Sequence, residues 1–129
     1  MKYILASASP RRKELLTQAG FQFEVIPSSV KETITKTVPS EIVMELAFQK
    51  AEDVFRRYGQ KNCVIIGADT IVVYRDEILG KPADQAEAYD MLSMLADRTH
   101  QVYTGVSLVI SRKGQVHTRT FYESTDVTF

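Results

Sequence analysis

The sequence predicts an α/β protein with a mixed central sheet flanked by helices. Three observations carry that expectation. CVIIGADTIVVY, residues 63–74, is apolar on both faces and reads as a central strand covered on both sides. EIVMELAFQKAEDVFRRYG and DQAEAYDMLSMLAD repeat apolar residues at helical spacing. QVYTGVSLVIS and the run beginning near Gln115 flank an RKG turn, which suggests a hairpin.

In chain order, Tyr3 to Ala6 is a short apolar run read as a strand entering the loop around Ser7. Ser9 and Pro10 read as N-cap and first helical position, because the serine oxygen satisfies an orphan N–H and proline lacks one. That helix runs to about Ala19 with Leu15 and Leu16 inward, and Gly20 is its stop. FQFEVIPS alternates as a second strand ending at Pro27. SSVKETITKTVPS is a polar, Thr-rich loop with no core pattern. Ser40 then caps a long helix with Val43, Leu46, Ala47, Ala51 and Val54 on one face and Gly59 as its stop. After the central strand, RDE turns into EILGKP, and the helix beyond Pro82 carries Met91, Leu92 and Leu95. STDVTF, at the end of the chain, reads as a strand.

The 129 residues amount to a single domain, residues 1–129. Sixteen basic and sixteen acidic side chains cancel, whereas a general nucleic-acid binder carries a basic excess, so a nucleic-acid module is disfavoured. Cys63 is the one cysteine, which excludes an intramolecular disulfide and fits a buried thiol in a reducing compartment. No apolar run approaches the roughly 20 residues of a membrane span. The N-terminus has no long apolar segment and cleavage site of a signal peptide, so the expected setting is the cytoplasm.

Arg11 and Arg12 are placed against sense for the first turn of a helix, where the dipole favours acidic residues. A phosphate resolves the conflict: exposed helix N–H groups, the Ser7 and Ser9 hydroxyls and two forked guanidinium groups all suit its oxygens. The bland alternative is a pair of solvated arginines. Asp69, within GADT, is costly to bury as an anion unless paired or bound to a cation. It reads either as a hydrogen-bonded structural carboxylate or as one kept at a cleft to bind metal or activate water. Lys81, between glycine and proline, offers a point charge to a phosphate, or is part of an ordinary turn; no GxxxxGK[ST] loop is present. Lys50 lies toward the later part of a helix, where a cation also suits the dipole. Glu32 reads locally as solvated, and His100 and His117 lack metal-ligand spacing.

Taken in order, SASPRRKELL from Ser7, AFQKA from Ala47, GADT from Gly67, LGKP from Leu79 and EAYDML from Glu87 resemble the Maf (septum-formation inhibitor-like) family of nucleotide pyrophosphatases over essentially the whole chain. The resemblance implies an elongated, two-lobed fold similar to the inosine triphosphate pyrophosphatases, with a cleft. It implies hydrolysis of a nucleoside triphosphate to monophosphate and pyrophosphate, assisted by Mg²⁺ or Mn²⁺. By resemblance Asp69 is the general base. Ser7, Ser9, Arg11, Arg12, Lys50 and Lys81 bind phosphates, and Glu32 matches the family's acidic loop residue, which with Asp69 is a candidate metal ligand. Arginine directly after SP and threonine after GAD, here Arg11 and Thr70, mark the branch acting on dTTP and UTP; the branch acting on 7-methyl-GTP carries SPWRR and GSDQ. Family members often form homodimers.

One departure stands out. The family domain normally continues through a DKAGAYGIQG-like segment bearing further site residues, and nothing like it occurs here, so the chain is expected to be a C-terminally truncated domain or one whose remaining part is supplied elsewhere. The missing segment favours an alternative of a different class: a nucleotide-holding protein without turnover, connected with division control.

Overall fold

The computed structural model describes residues 2–6, 13–14, 17–20, 22–58, 62–75, 77–79, 85–86, 90 and 99–128. Its described elements are β1 (Lys2–Leu5), β2 (Glu24–Val25), a long helix α1 (Pro39–Tyr58), β3 (Cys63–Tyr74), β4 (Glu77–Leu79), β5 (Thr99–Arg112) and β6 (Gln115–Thr128). The strands form one mixed sheet in the order β2-β1-β3-β5-β6, with β4 also on β3. β1 is parallel to both β2 and β3, whereas β4 and β5 run antiparallel to β3 and β6 antiparallel to β5.

β3 is central, as its apolar pattern predicts. Cys63, Ile65 and Val73 are buried on one face and Val64 and Ala68 on the other. The hairpin is also as expected: Arg112 pairs with Gln115 across Lys113 and Gly114, both at positive φ (51° and 75°), the two-residue turn whose twist matches paired strands. β6 includes Ser124–Thr128, the region read as a strand from STDVTF. The second strand is shorter than FQFEVIPS suggests. Only Glu24 and Val25 form it, followed by one further rung in which the Ile26 amide donates to Leu5 O at 3.0 Å, and then Pro27 has no N–H to continue the ladder.

The first predicted helix falls largely outside the described residues, with Leu15 and Leu16. Lys13–Glu14 and Thr17–Gln18 are helical, and Gly20 ends the turn at φ 84° with its amide donating to Thr17 O at 3.1 Å. Of the second predicted helix, Gln85–Ala86 and Asp90 are helical, while Met91, Leu92 and Leu95 lie outside the described residues, as does the stop at Gly59. α1 begins one residue before the expected Ser40 cap, because the Ile42 amide already donates to Val38 O at 3.0 Å.

α1 lies across β3 and β5 and supplies the core: Ile42, Val43, Leu46, Ala47, Ala51 and Val54 are buried. Two glycines allow its backbone to touch the sheet. A Cβ on Gly67 would lie 2.2 Å from Ala47 O and 2.8 Å from Ala51 N, and one on Gly105 would lie 2.3 Å from Val43 O. Among the described residues no helix is long and apolar enough to cross a membrane.

Candidate active site

The helix-to-sheet seam ends in charge. Positions 43, 46, 47, 50, 51 and 54 form one face of α1, and Lys50 is the only charged residue among them. Residues 63, 65, 67, 69, 71 and 73 share the facing side of β3, and Asp69 is the one charged residue in that row. The helix turn from Ala47 to Ala51 sits on Gly67, one pleat before Asp69. Gly105, cross-strand from Asp69, takes the Val43 turn. Lys50 Nζ therefore reaches Asp69 Oδ1 at 2.7 Å, with both side chains about four-fifths buried (19% and 17% exposed). The same ammonium meets Glu32 Oε1 at 3.3 Å.

Asp69 also occupies a gap in the ladder. On one edge β3 pairs with β5 from Cys63 to Val73. On the other it pairs with β1 only at residues 63–66 and with β4 only at residues 72–74. Residues 67–71 have no strand partner on that side among the described residues. The chain leaves β1 at Ala6, whose amide donates to Ile66 O at 2.8 Å, and enters SASPRR. It leaves β4 at Leu79, paired with Val72, and enters GKP. Asp69 is three residues from each of these exits, about 10 Å along a strand. Topology thus starts both candidate phosphate-binding segments on either side of one carboxylate.

Of the sequence-predicted site residues, Asp69, Lys50 and Glu32 come together. Glu32 is half-exposed and ion-paired, where the sequence alone suggested a solvated loop residue. Thr70 does not join them. It follows Asp69 in a strand, so its side chain takes the opposite face, where its hydroxyl shares a 3.2 Å hydrogen bond with Thr104. Ser7, Ser9, Arg11, Arg12 and Lys81 lie outside the described residues. His100 is buried and His117 exposed, and neither is near this group in the strand register.

Three residues that the sequence reading passed over hold the Glu32 segment in place. Asp53 accepts from Ser28 Oγ (2.9 Å), the Ser29 amide (3.1 Å) and the Arg57 guanidinium (2.9 Å). Gln49 pairs with both backbone groups of Thr33: the Thr33 amide donates to Oε1 at 3.0 Å, and Nε2 donates to Thr33 O at 2.6 Å. Glu45 accepts from the Thr35 amide at 2.6 Å and from its hydroxyl. Burial alone would raise the Asp53 carboxyl, but the bonds from Ser28 and Ser29 and the charge of Arg57 outweigh it and hold its pKa below the usual value. Glu45 is also lowered, chiefly by the Thr35 hydroxyl and then the Thr35 amide. The visible signal was a polar stripe at i, i+4 and i+8 on a helix next to a Thr-rich loop.

Asp69 and Glu32 offer only oxygen donors around one shared cation, which suits a hard divalent ion such as Mg²⁺ or Mn²⁺ better than a soft one. Among the described residues no cluster of three or more metal-ligating side chains occurs. Magnesium sites commonly use one or two carboxylates and complete their shell with water and phosphate oxygens, so a pair is compatible with such an ion.

Comparison with known proteins places the chain in a family. The sequence matches the family described as Maf-like protein over residues 2–129. It is 54% identical over 129 residues to a dTTP/UTP pyrophosphatase of Bacillus thuringiensis subsp. konkukian, covering 99% of this chain and 64% of the relative. It is 48% identical over 126 residues to a dTTP/UTP pyrophosphatase of Lachnoclostridium phytofermentans, covering 97% of this chain and 64% of that relative. The chain thus spans just under two thirds of the length of these curated relatives. Two solved structures share the fold at 16% identity. One is a nucleoside-triphosphatase / dITP/XTP pyrophosphatase from Mycobacterium abscessus (TM-score 0.58, 99% of this chain and 74% of that one). The other is the Staphylococcus aureus Ham1 protein (TM-score 0.53, 98% and 70%). By its sequence match along nearly its whole length, the chain belongs to the Maf-like family.

Proposed function

We propose that the chain carries the catalytic half-cleft of a nucleoside triphosphate pyrophosphatase acting on dTTP and UTP. The observation that carries this reading is the Lys50–Asp69–Glu32 group in the ladder gap, flanked by the exits to SASPRR and GKP. The names of the relatives at 48–54% identity supply the pyrimidine substrates.

In the reaction, water oxygen forms a bond to the α-phosphorus, the bond from that phosphorus to the α,β-bridging oxygen breaks, and pyrophosphate leaves with the electron pair. Lys50 holds Asp69 Oδ1, and Oδ2, which has no partner among the described residues, accepts the water's proton. Arg11, Arg12, Lys50 and Lys81, with the Ser7 and Ser9 hydroxyls, bind and neutralise the polyanion, since catalysis of this kind is mostly positioning and electrostatics. Asp69 and Glu32 are the carboxylates that would hold a divalent ion, which would supply charge neutralisation for the phosphate oxygens. Thr70 faces away from Asp69, so any part it has in base choice is exercised from the other side of the sheet. A cytoplasmic setting fits a nucleotide substrate, and a homodimer fits the family resemblance.

The test is pyrophosphate release by the 129-residue chain from dTTP, UTP, CTP, GTP and 7-methyl-GTP with Mg²⁺ or Mn²⁺, alongside Asp69→Asn. Release from dTTP and UTP that falls at least ~100-fold in the variant, with an unchanged melting curve, is the expected result. Near-full activity in the variant would remove Asp69 as the base. A folded wild-type chain that binds dTTP without releasing pyrophosphate would favour the nucleotide-holding alternative.

A further inference from the structure

Residues 28–35 form a strap laid antiparallel along α1, and chain length alone does not fix where its residues sit. Its bonded positions run from Ser29 to Thr35, and their partners run back along α1 from Asp53 to Glu45. Six residues of strap can span about 20 Å, whereas eight residues of helix rise only about 12 Å. The strap is therefore slack, and its register depends on side chains. Asp53 and Glu45 pin its two ends. Between them the Val30 amide donates locally to Ser28 Oγ at 3.2 Å, and among the described residues Gln49 is the one α1 side chain that bonds the backbone, as a strand partner would, with both polar groups of Thr33. Thr33 follows Glu32 directly, and Gln49 precedes Lys50 directly. One rung of amide hydrogen bonds thus sets two neighbouring side chains, Glu32 and Lys50, against each other at 3.3 Å.

We propose that Gln49 is a positioning residue: by bonding the Thr33 backbone it places the Glu32 carboxylate on Lys50, and so determines the separation of the two carboxylates around that ammonium. Its catalytic consequence, though not the placement itself, rests on the pyrophosphatase reading above. The sequence reading assigns no role to this position, although Gln49 lies within AFQKA between Ala47 and Lys50.

The test has two arms. In the first, NMR follows amide exchange at Ser29, Thr33 and Thr35 and the Lys50 side-chain resonances, without nucleotide. Gln49→Ala should speed exchange at Thr33 at least tenfold, with smaller changes at Ser29 and Thr35, which keep Asp53 and Glu45. The shift that Glu32→Gln produces in the Lys50 resonances should shrink by at least half in the Gln49→Ala background. Unchanged Thr33 exchange, or an undiminished Lys50 shift, overturns the proposal. In the second arm, pyrophosphate release from dTTP with Mg²⁺ is measured as a double-mutant cycle. Gln49→Ala should lower kcat about tenfold and change KM less than threefold, and it should cost nothing further in the Glu32→Gln background. Losses that multiply would show that Gln49 acts other than through Glu32 and overturn the proposal. A wild-type chain that releases no pyrophosphate would count against the pyrophosphatase reading, and the NMR arm would then decide the proposal by itself.

Discussion

Lys50 shows how one side chain acquires its role from position. In a helix census it is a cation in the second half of α1, acceptable to the dipole. On the folded helix it takes an apolar-face position and meets two carboxylates. Lys50→Met keeps the apolar stem but leaves Asp69 and Glu32 as neighbouring anions without their cation. With Asp69 only 17% exposed, the loss should be about 1–3 kcal/mol of stability, below the cost of breaking a fully buried pair because water still reaches the site. Urea unfolding followed by circular dichroism would measure it. Added Mn²⁺ should recover part of the loss if the two carboxylates accept a divalent ion. No recovery at millimolar Mn²⁺ would argue that they do not.

At the scale of elements, the site depends on how closely α1 rests on the sheet. Gly67 and Gly105 are the contact points, one beside Asp69 along its strand and one across from it. Gly67→Ala would push its new Cβ against the backbone oxygen of Ala47, and backbone cannot give way by a rotamer change. The helix must lift, costing about 3 kcal/mol or more, and Lys50 must withdraw from Asp69. Ala68→Gly, on the other face of the same strand, is the control: it loosens β3 without touching the α1 contact. Denaturant midpoints and dTTP turnover for the two variants should separate, with turnover lost more steeply in Gly67→Ala than its stability alone explains. Equal loss of turnover at equal stability would show that the close approach serves packing only.

At the scale of the whole molecule, the carboxylates that pin the strap tie its docking to pH. Asp53 and Glu45 both titrate below their ordinary values because hydrogen bonds favour their charged forms. A carboxyl whose pKa is depressed by folding contributes stability that is present above its unfolded value. That contribution is lost as pH falls through the folded value. Stability should therefore be flat near neutrality and decline below about pH 4.5, where unfolded carboxyls begin to take up protons. Asp53→Asn should lower stability at pH 7 and make the acid decline shallower, as read by thermal melts between pH 7 and pH 3. An unchanged slope would mean that Asp53 does not hold the strap in solution.

Much of this architecture could be read from the chain because the relevant forces are local. Alternation and helical periodicity record which side of an element is buried, so CVIIGADTIVVY was legible as a central strand and the α1 face as Val43, Leu46, Ala47, Ala51 and Val54. The turn at Lys113–Gly114 was legible because positive φ favours glycine. Asp69 was conspicuous as a carboxylate in an apolar strand, and the ordered motifs pointed to the family. What the tertiary structure alone decided is which distant residues meet. Lys50 pairs with Asp69 because two missing β-carbons let α1 descend at that crossing. Glu32 joins them because Asp53, Gln49 and Glu45 take up the slack of a loop that has no periodicity of its own. Thr70 turns away from Asp69 because adjacent strand residues take opposite faces, a consequence that became visible only once α1 had defined which face holds the charge.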